Sequence, residues 1–351
     1  MQRSETVSPE DMAAVAPRHG GDGGRFSFGW LSHRRQSFMV AALPQQPGLP
    51  SMWIRNLCVY QSAEPFTWSA QQLEEKLSSL RCPKISQQQL NVDGFVAPLK
   101  AYDNLIHATD NLLYGVWQET SRLLPGGVIK EELEERLDAI EARDGRRPGR
   151  KEKAALKDEI TFELMPRAFT RQRRIGFLID LNAKRILVDA SSENRAEQVI
   201  SCLRKALGTL PVTRADAEVS PAMLMTEWLK HPEQLPHGFG LGDRCELKGT
   251  GEEAASVRFT AFDLGQEEIL KHIEAGMQVV KLNLSFRDEL EFDLTEEMQI
   301  KRIKALDVIR ESLDGVDEED ALAEMMARIA LQGGVLREML GGLREAFGSR
   351  E

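Results

Sequence analysis

Leu156, Ile160 and Leu164 recur at every fourth position, the spacing of an apolar stripe along a helix, and Pro166 ends that helix because it lacks an N–H and restricts the residue before it. Ile175, Phe177 and Ile179 then alternate with Gly176, Leu178 and Asp180, which predicts a strand. Upstream, Ile129, Leu133 and Leu137 mark a second helix, separated from the first by the Gly145-Arg146-Arg147-Pro148-Gly149 interruption. Each of these helices buries only a narrow stripe. The pair is therefore expected over 125–165 as a projecting helical hairpin with a basic tip.

The same reading extends along the chain. Residues 52–60 are apolar on both faces, as in a central strand, and Ser69 with Gln72 resembles a capping box ahead of Leu73, Leu77 and Leu80. Short strands are predicted at 94–96, 105–108 and 113–117, the last two joined by the turn-forming pair Asp110-Asn111. A strand pair across Asn182-Ala183 follows, and then a helix over 193–207 closed by Gly208. Leu210-Pro211-Val212 opens a second region, with strands at 257–263, 279–286 and 290–294, a helix over 266–275, and a C-terminal helix over 318–347 broken or kinked near Gly333-Gly334. The expected class is α+β, with mostly antiparallel sheets and packed helices. Its regions are 52–124 with 166–212 at the centre, 125–165 at the tip and 213–351 at the base. Residues 1–51, bracketed by Gly20-Gly21-Asp22-Gly23-Gly24 and a proline-rich run, read as a disordered tail or as a misassigned start with Met52 the first residue.

Charge sharpens this picture at one place. Between Arg143 and Arg174 there are eleven Lys and Arg against five Asp and Glu, while the whole chain stands at −10. A polyanion ligand would therefore have to meet a segregated basic face. Within that island Arg167, Arg171, Arg173 and Arg174 surround a single aromatic, Phe169. The plain reading is a solvated connection with Phe169 in the core; the sharper one is a phosphate-contacting edge with an exposed apolar anchor. Cys58, Cys82, Cys202 and Cys245 form no Cys-x-x-Cys pair, which fits a reducing cytoplasm, and no apolar run approaches the eighteen or so residues of a membrane span.

Candidate chemistry is thin. Gly238-Phe239-Gly240-Leu241-Gly242 lacks the Lys-Ser or Lys-Thr of a phosphate loop, and His231, His237 and Cys245 lack metal-ligand spacing. Asp180 and Asp189, with Glu193 nearby, are the one carboxylate set that could hold Mg²⁺ for phosphodiester cleavage, against the plainer role of capping strand ends. No catalytic residue, metal or cofactor is otherwise expected.

Trp53-Ile54-Arg55-Asn56-Leu57, Leu164-Met165-Pro166-Arg167-Ala168-Phe169, the run from Leu203 to Val212, Thr226-Glu227-Trp228-Leu229 and His272-Ile273-Glu274-Ala275-Gly276 occur in an order that resembles the RdgC family of recombination-associated proteins. The resemblance implies a non-enzymatic, sequence-independent DNA-binding protein in the cytoplasm and nucleoid. Two horseshoe-shaped subunits would close as a homodimeric ring around duplex DNA, with single strands left open as a second ligand, and would restrain RecA by competing for DNA. It also implies that Phe169 inserts into the partner subunit with Arg167 beside it. Arg171, Arg173 and Arg174 are then the expected phosphate contacts, with Arg258 and Lys281 as additions from the far region. There the sequence departs from the family, since basic and amide positions are occupied by Phe259-Thr260-Ala261-Phe262 and Met277. The reading from another class is a Mg²⁺-dependent nuclease using Asp180 and Asp189.

Overall fold

The computed structural model describes residues 54–249, 251, 254–306 and 320–348; the predicted 1–51 tail lies outside them. Two antiparallel sheets organise these residues. The first has seven strands: β1 (Cys58–Ser62), β2 (Asn91–Val96), β3 (Ile106–Thr109), β4 (Leu112–Arg122), β5 (Thr170–Asp180), β6 (Arg185–Val188) and β7 (Val212–Arg214). Its order is β2-β4-β5-β6-β1-β7, with β3 also on β4. The second runs β12 (Ile300–Ala305), β11 (Leu290–Thr295), β10 (Gln278–Phe286), β8 (Phe239–Lys248) and β9 (Ser256–Thr260). The helices are α1 (Ala70–Ser78), α2 (Gly126–Asp144), α3 (Arg150–Leu164), α4 (Glu193–Leu207), α5 (Pro221–Lys230), α6 (Glu267–Glu274) and α7 (Ala321–Phe347).

Side-chain alternation sets the layers. Ile175, Phe177 and Ile179 of β5 join Leu113 and Trp117 of β4 on one face, covered by Leu73 and Leu77 of α1 and by Ala196, Val199, Ile200 and Leu203 of α4. Tyr114, Val116 and Leu178 point to the other face, where they share a core with α5, α6, α7 and the apolar side of the second sheet. The α1 capping box forms as expected, with Ser69 Oγ accepting from Gln72 N–H and Gln72 Oε1 from Ser69 N–H. Asp110 and Asn111 both adopt positive φ, as the tight β3–β4 turn requires.

The structure departs from the sequence reading at several points. The strand read from Ile175 begins at Thr170, because eleven residues of β4 offer it a partner in continuous register, Arg122 opposite Thr170 through Leu112 opposite Asp180. The glycine-rich 238–242 segment, for which no phosphate loop is expected, forms the head of β8: positions at Gly240 and Gly242 are filled by Ser285 and Asn283 from β10, and a Cβ on Gly242 would come within 1.8 Å of the Asn283 amide oxygen. The C-terminal helix does not break at Gly333-Gly334. Gly333 lets Leu112 of the first sheet approach where a Cβ would sit at 2.1 Å, and Gly342 does the same for Phe239 of the second. These glycines seat α7 between the sheets. Val212–Arg214, read as entering a second region, pairs with β1 and extends the first sheet.

Candidate nucleic-acid interface

α3 ends at Leu164, and Met165–Arg167, containing Pro166, form a single tight turn before the chain enters β5. Its main chain is held from the neighbouring strand. Leu123 N–H donates to Phe169 C=O at 2.8 Å, and the Arg122 guanidinium donates to the carbonyls of Ala168 (3.2 Å), Gln89 (3.1 Å) and Ser86 (3.0 Å). Sequence reading passed over Arg122, whose signal was only its place at the end of a strand. With its backbone fixed in this way, Phe169 does not turn into the core: it is 84% exposed, the most exposed large apolar side chain among the described residues. Leu123, hydrogen-bonded to it through the main chain, and Leu90, which accepts from Arg122 N–H, are also exposed. Three exposed apolar side chains on segments joined by main-chain hydrogen bonds make this edge a candidate interaction site.

The strand then sorts the arginines by parity. Arg171 lies opposite Ser121, exposed and without an ion pair among the described residues. Arg173 lies opposite Glu119, with its nearest nitrogen 3.9 Å from a carboxylate that Arg195 already holds at 2.8 Å; its side chain keeps 34% exposure. Arg174 faces the opposite way. Its guanidinium donates to the carbonyls of Ala97 (2.6 Å) and Pro98 (3.1 Å), its Nε is buried without a partner, and burial pulls its pKa below the usual arginine range. The expected trio is thus a pair, Arg171 and Arg173, plus an arginine committed to the fold. Arg167 is exposed in the turn beside Phe169.

The basic tip expected between α2 and α3 is largely neutralised. Ile129, Leu133, Leu137 and Ile160 pack between the helices, and around them Arg136 pairs with Glu163, Arg146 with Glu152, and Arg147 and Lys153 with Glu134. In the second sheet, Arg258 is 67% exposed on its side chain but pairs with Glu246 at 2.9 Å, while Lys281 stands 3.9 Å from Asp293, which Arg244 and Arg302 also approach. Phe259 stacks near Phe262 and His272, so the aromatic substitution at 259–262 is absorbed by packing. Further cations lie on β12, an edge strand that carries Lys301, Arg302 and Lys304, the last two exposed though within 4 Å of Asp293 and Glu291. Arg55 joins them, since its C=O accepts from Ile303 N–H. Their signal was the Ile300-Lys301-Arg302-Ile303-Lys304 run, which the reading did not place on a strand.

Asp180 and Asp189 do not converge. Asp189 N–H donates to Gly176 C=O, four residues along β5 from Asp180, which is about 13 Å at 3.3 Å per residue. Asp180 accepts from Asn182 and Ala183 N–H and holds Arg337 of α7 at 2.7 Å. Asp189 accepts from Arg55 and Asn56 N–H, and burial raises its pKa. Both act as strand-end caps, and among the described residues no group of three His, Cys, Asp or Glu could hold a metal ion.

The site is an exposed aromatic beside an arginine-bearing strand of an α+β fold, and comparison with known proteins supplies the family. The family model described as "Putative exonuclease, RdgC" matches residues 52–350. Recombination-associated proteins RdgC from Shewanella loihica (39% identical over 301 residues, 86% of this chain and 99% of theirs), Pseudomonas aeruginosa (36% over 302, 86% and 98%) and Proteus mirabilis (35% over 298, 85% and 98%) are similar along almost their whole length. The chain belongs to the RdgC family. No helix among the described residues is long and apolar enough to cross a membrane.

Proposed function

We propose that this chain is a sequence-independent DNA-binding protein that closes as a homodimeric ring around duplex DNA and restrains RecA-dependent recombination at the nucleoid by competing for DNA. The observation that carries the reading is the juxtaposition of Phe169 with Arg171 and Arg173 at the head of β5: one exposed aromatic, then two arginines whose charge is not consumed internally. Phe169, with Arg167 beside it, anchors one subunit contact, and the α2–α3 hairpin over 125–165 makes the other. Residues 52–124 and 166–212 form the central region of a horseshoe and 213–351 its base. Arg171 and Arg173 lead the phosphate contacts, Arg258 and Lys281 add to them weakly, and Arg174 supports the wall behind.

Exonuclease chemistry, the word in the family description, is the competing reading. Asp180 and Asp189 are too far apart to share one Mg²⁺, and Asp180 is already held by Asn182, Ala183 and Arg337, which favours binding over cleavage by that pair. A gel shift on random duplex with and without Mg²⁺, run alongside light scattering for mass, tests both. Retarded, intact DNA and a dimer mass are expected; shortened DNA in Mg²⁺ overturns the binding-only reading.

A further inference from the structure

A cavity of about 690 Å³ lies where β1, β6 and β7 of the first sheet meet β11, the head of β12 and the last turns of α7. That size suits a small organic ligand. One wall is apolar, made by Ile300, Leu340, Leu343 and Phe347. The other carries Lys184, Arg185, Arg214 and Arg344 against a single lining carboxylate, Asp216.

Arg214 is already spent on Glu193 and on the carbonyl of Glu297. Arg185 is not. It is only 7% exposed, its Nε donates to Gln61 Oε1 at 3.0 Å, and among the described residues it makes no other hydrogen bond and no ion pair. Gln61 is itself fixed, donating to the carbonyls of Ala183 and Lys184 at 3.1 Å each, so it holds the guanidinium by one edge. Asp180, its partner across the strand register, is occupied by Arg337. Burial, and next the repulsion of the exposed Arg344 at the cavity mouth, depress the pKa of Arg185, and Asp180, which acts in the opposite direction, is shared with Arg337. The terminal nitrogens of Arg185 are not among the buried atoms lacking a partner, so they open onto the cavity, where an anion can meet them. Arg344 and Lys184 have no ion pair among the described residues either.

We infer that this cavity binds a nucleoside phosphate, its phosphate held by Arg185, Lys184 and Arg344 and its ring laid on the wall of Leu340, Leu343 and Phe347. Arginine provides the forked donors that phosphate oxygens need, and the apolar wall rewards a planar ring that free phosphate lacks. Asp216 stands as an acceptor for a ligand hydroxyl or amino group. Neither Phe169 nor Arg171 and Arg173 line this cavity, so the inference does not depend on the proposed ring. The same chemistry is offered by a free mononucleotide and by the 5′-phosphorylated end of a strand.

The test is calorimetric titration of the full chain with ADP, adenosine and inorganic phosphate. ADP is expected to bind in the micromolar range, and adenosine and phosphate each at least about tenfold more weakly. Arg344 is exposed, so Arg344→Glu should fold normally and weaken ADP by about tenfold or more, with Arg185→Gln acting in the same direction. Competition by a trinucleotide with a 5′-phosphate, but not by its 5′-hydroxyl counterpart, would identify strand ends as the source; failure of both to compete would identify free nucleotides. No ADP binding at millimolar concentration, or binding unchanged in both Arg344→Glu and Lys184→Glu, overturns the inference.

Discussion

Arg171 and Arg174 stand three residues apart on β5 and point to opposite sides of the sheet, one into solvent and the other onto the carbonyls of Ala97 and Pro98. Two side chains of the same chemistry therefore have separable roles. Replacing Arg171 and Arg173 together by alanine should lower the slope of log affinity against log salt by about 2 and weaken binding to all sequences alike. Arg174→Ala should leave that slope unchanged and instead cost about 1–3 kcal/mol of folding stability, because two carbonyls lose their donor. Salt-dependent binding isotherms and denaturant melts of the two variants check the division.

Phe169→Ala should weaken the subunit contact by about 2–4 kcal/mol while leaving the stability of the isolated subunit nearly unchanged, since the ring buries almost nothing within its own chain. Light scattering across a dilution series reads the first effect and thermal melting at a dissociating concentration the second. A dimer that dissociates no more readily than the parent removes Phe169 from the interface.

Gly333 and Gly334 are neighbours on α7 with opposite surroundings. Gly333→Ala drives a methyl into Leu112 and should destabilise the fold by about 1–3 kcal/mol, whereas Gly334, with nothing within 4 Å of a built Cβ, should accept alanine with a gain of about 0.5–1 kcal/mol. Paired urea melts decide it.

Asp189 gives a pH dependence with a defined sign. Burial raises its folded-state pKa above the ordinary carboxylate value, so in the interval between the two values the folded chain binds more protons than the unfolded one. Its contribution is fully present below the unfolded pKa and is lost as pH rises through the folded pKa. Asp189→Asn keeps an oxygen for the Arg55 and Asn56 N–H groups and should flatten this component, as denaturation midpoints measured at a series of pH values would reveal.

Local signals carried the parts of the fold that depend on local physics. Ser69 with Gln72, the Asp110-Asn111 turn, the stripe of Ile129, Leu133 and Leu137, and Gly208 after α4 each act within one turn of chain, and each was legible. Features set by a distant partner were not. The reach of β5 back to Thr170 depends on β4 having the length to pair with it, and the glycines of α7 read as a break because Leu112, which packs on Gly333, is remote in sequence. At the candidate site, Phe169 and the arginine cluster were visible as composition, but the split between Arg173 and Arg174 required the strand's starting point. The β12 cations were missed because two adjacent charges, Lys301 and Arg302, interrupt the alternation; the register irregularity between Glu291 and Asp293 accommodates that interruption.

Four buried apolar side chains, with Leu124, Leu156 and Leu164 partly buried against them, are a thin seam for two helices of nineteen and fifteen residues, and the exposed ion pairs along α2 and α3 add a small, salt-sensitive share. Ionic strength therefore acts on this protein in two places, screening the arginines proposed to meet a polyanion and loosening the stitching of the element proposed to touch the partner. A salt titration of the assembled protein is a compound instrument: its low-salt limb counts phosphates, and its high-salt limb also records the fingertip coming unlaced.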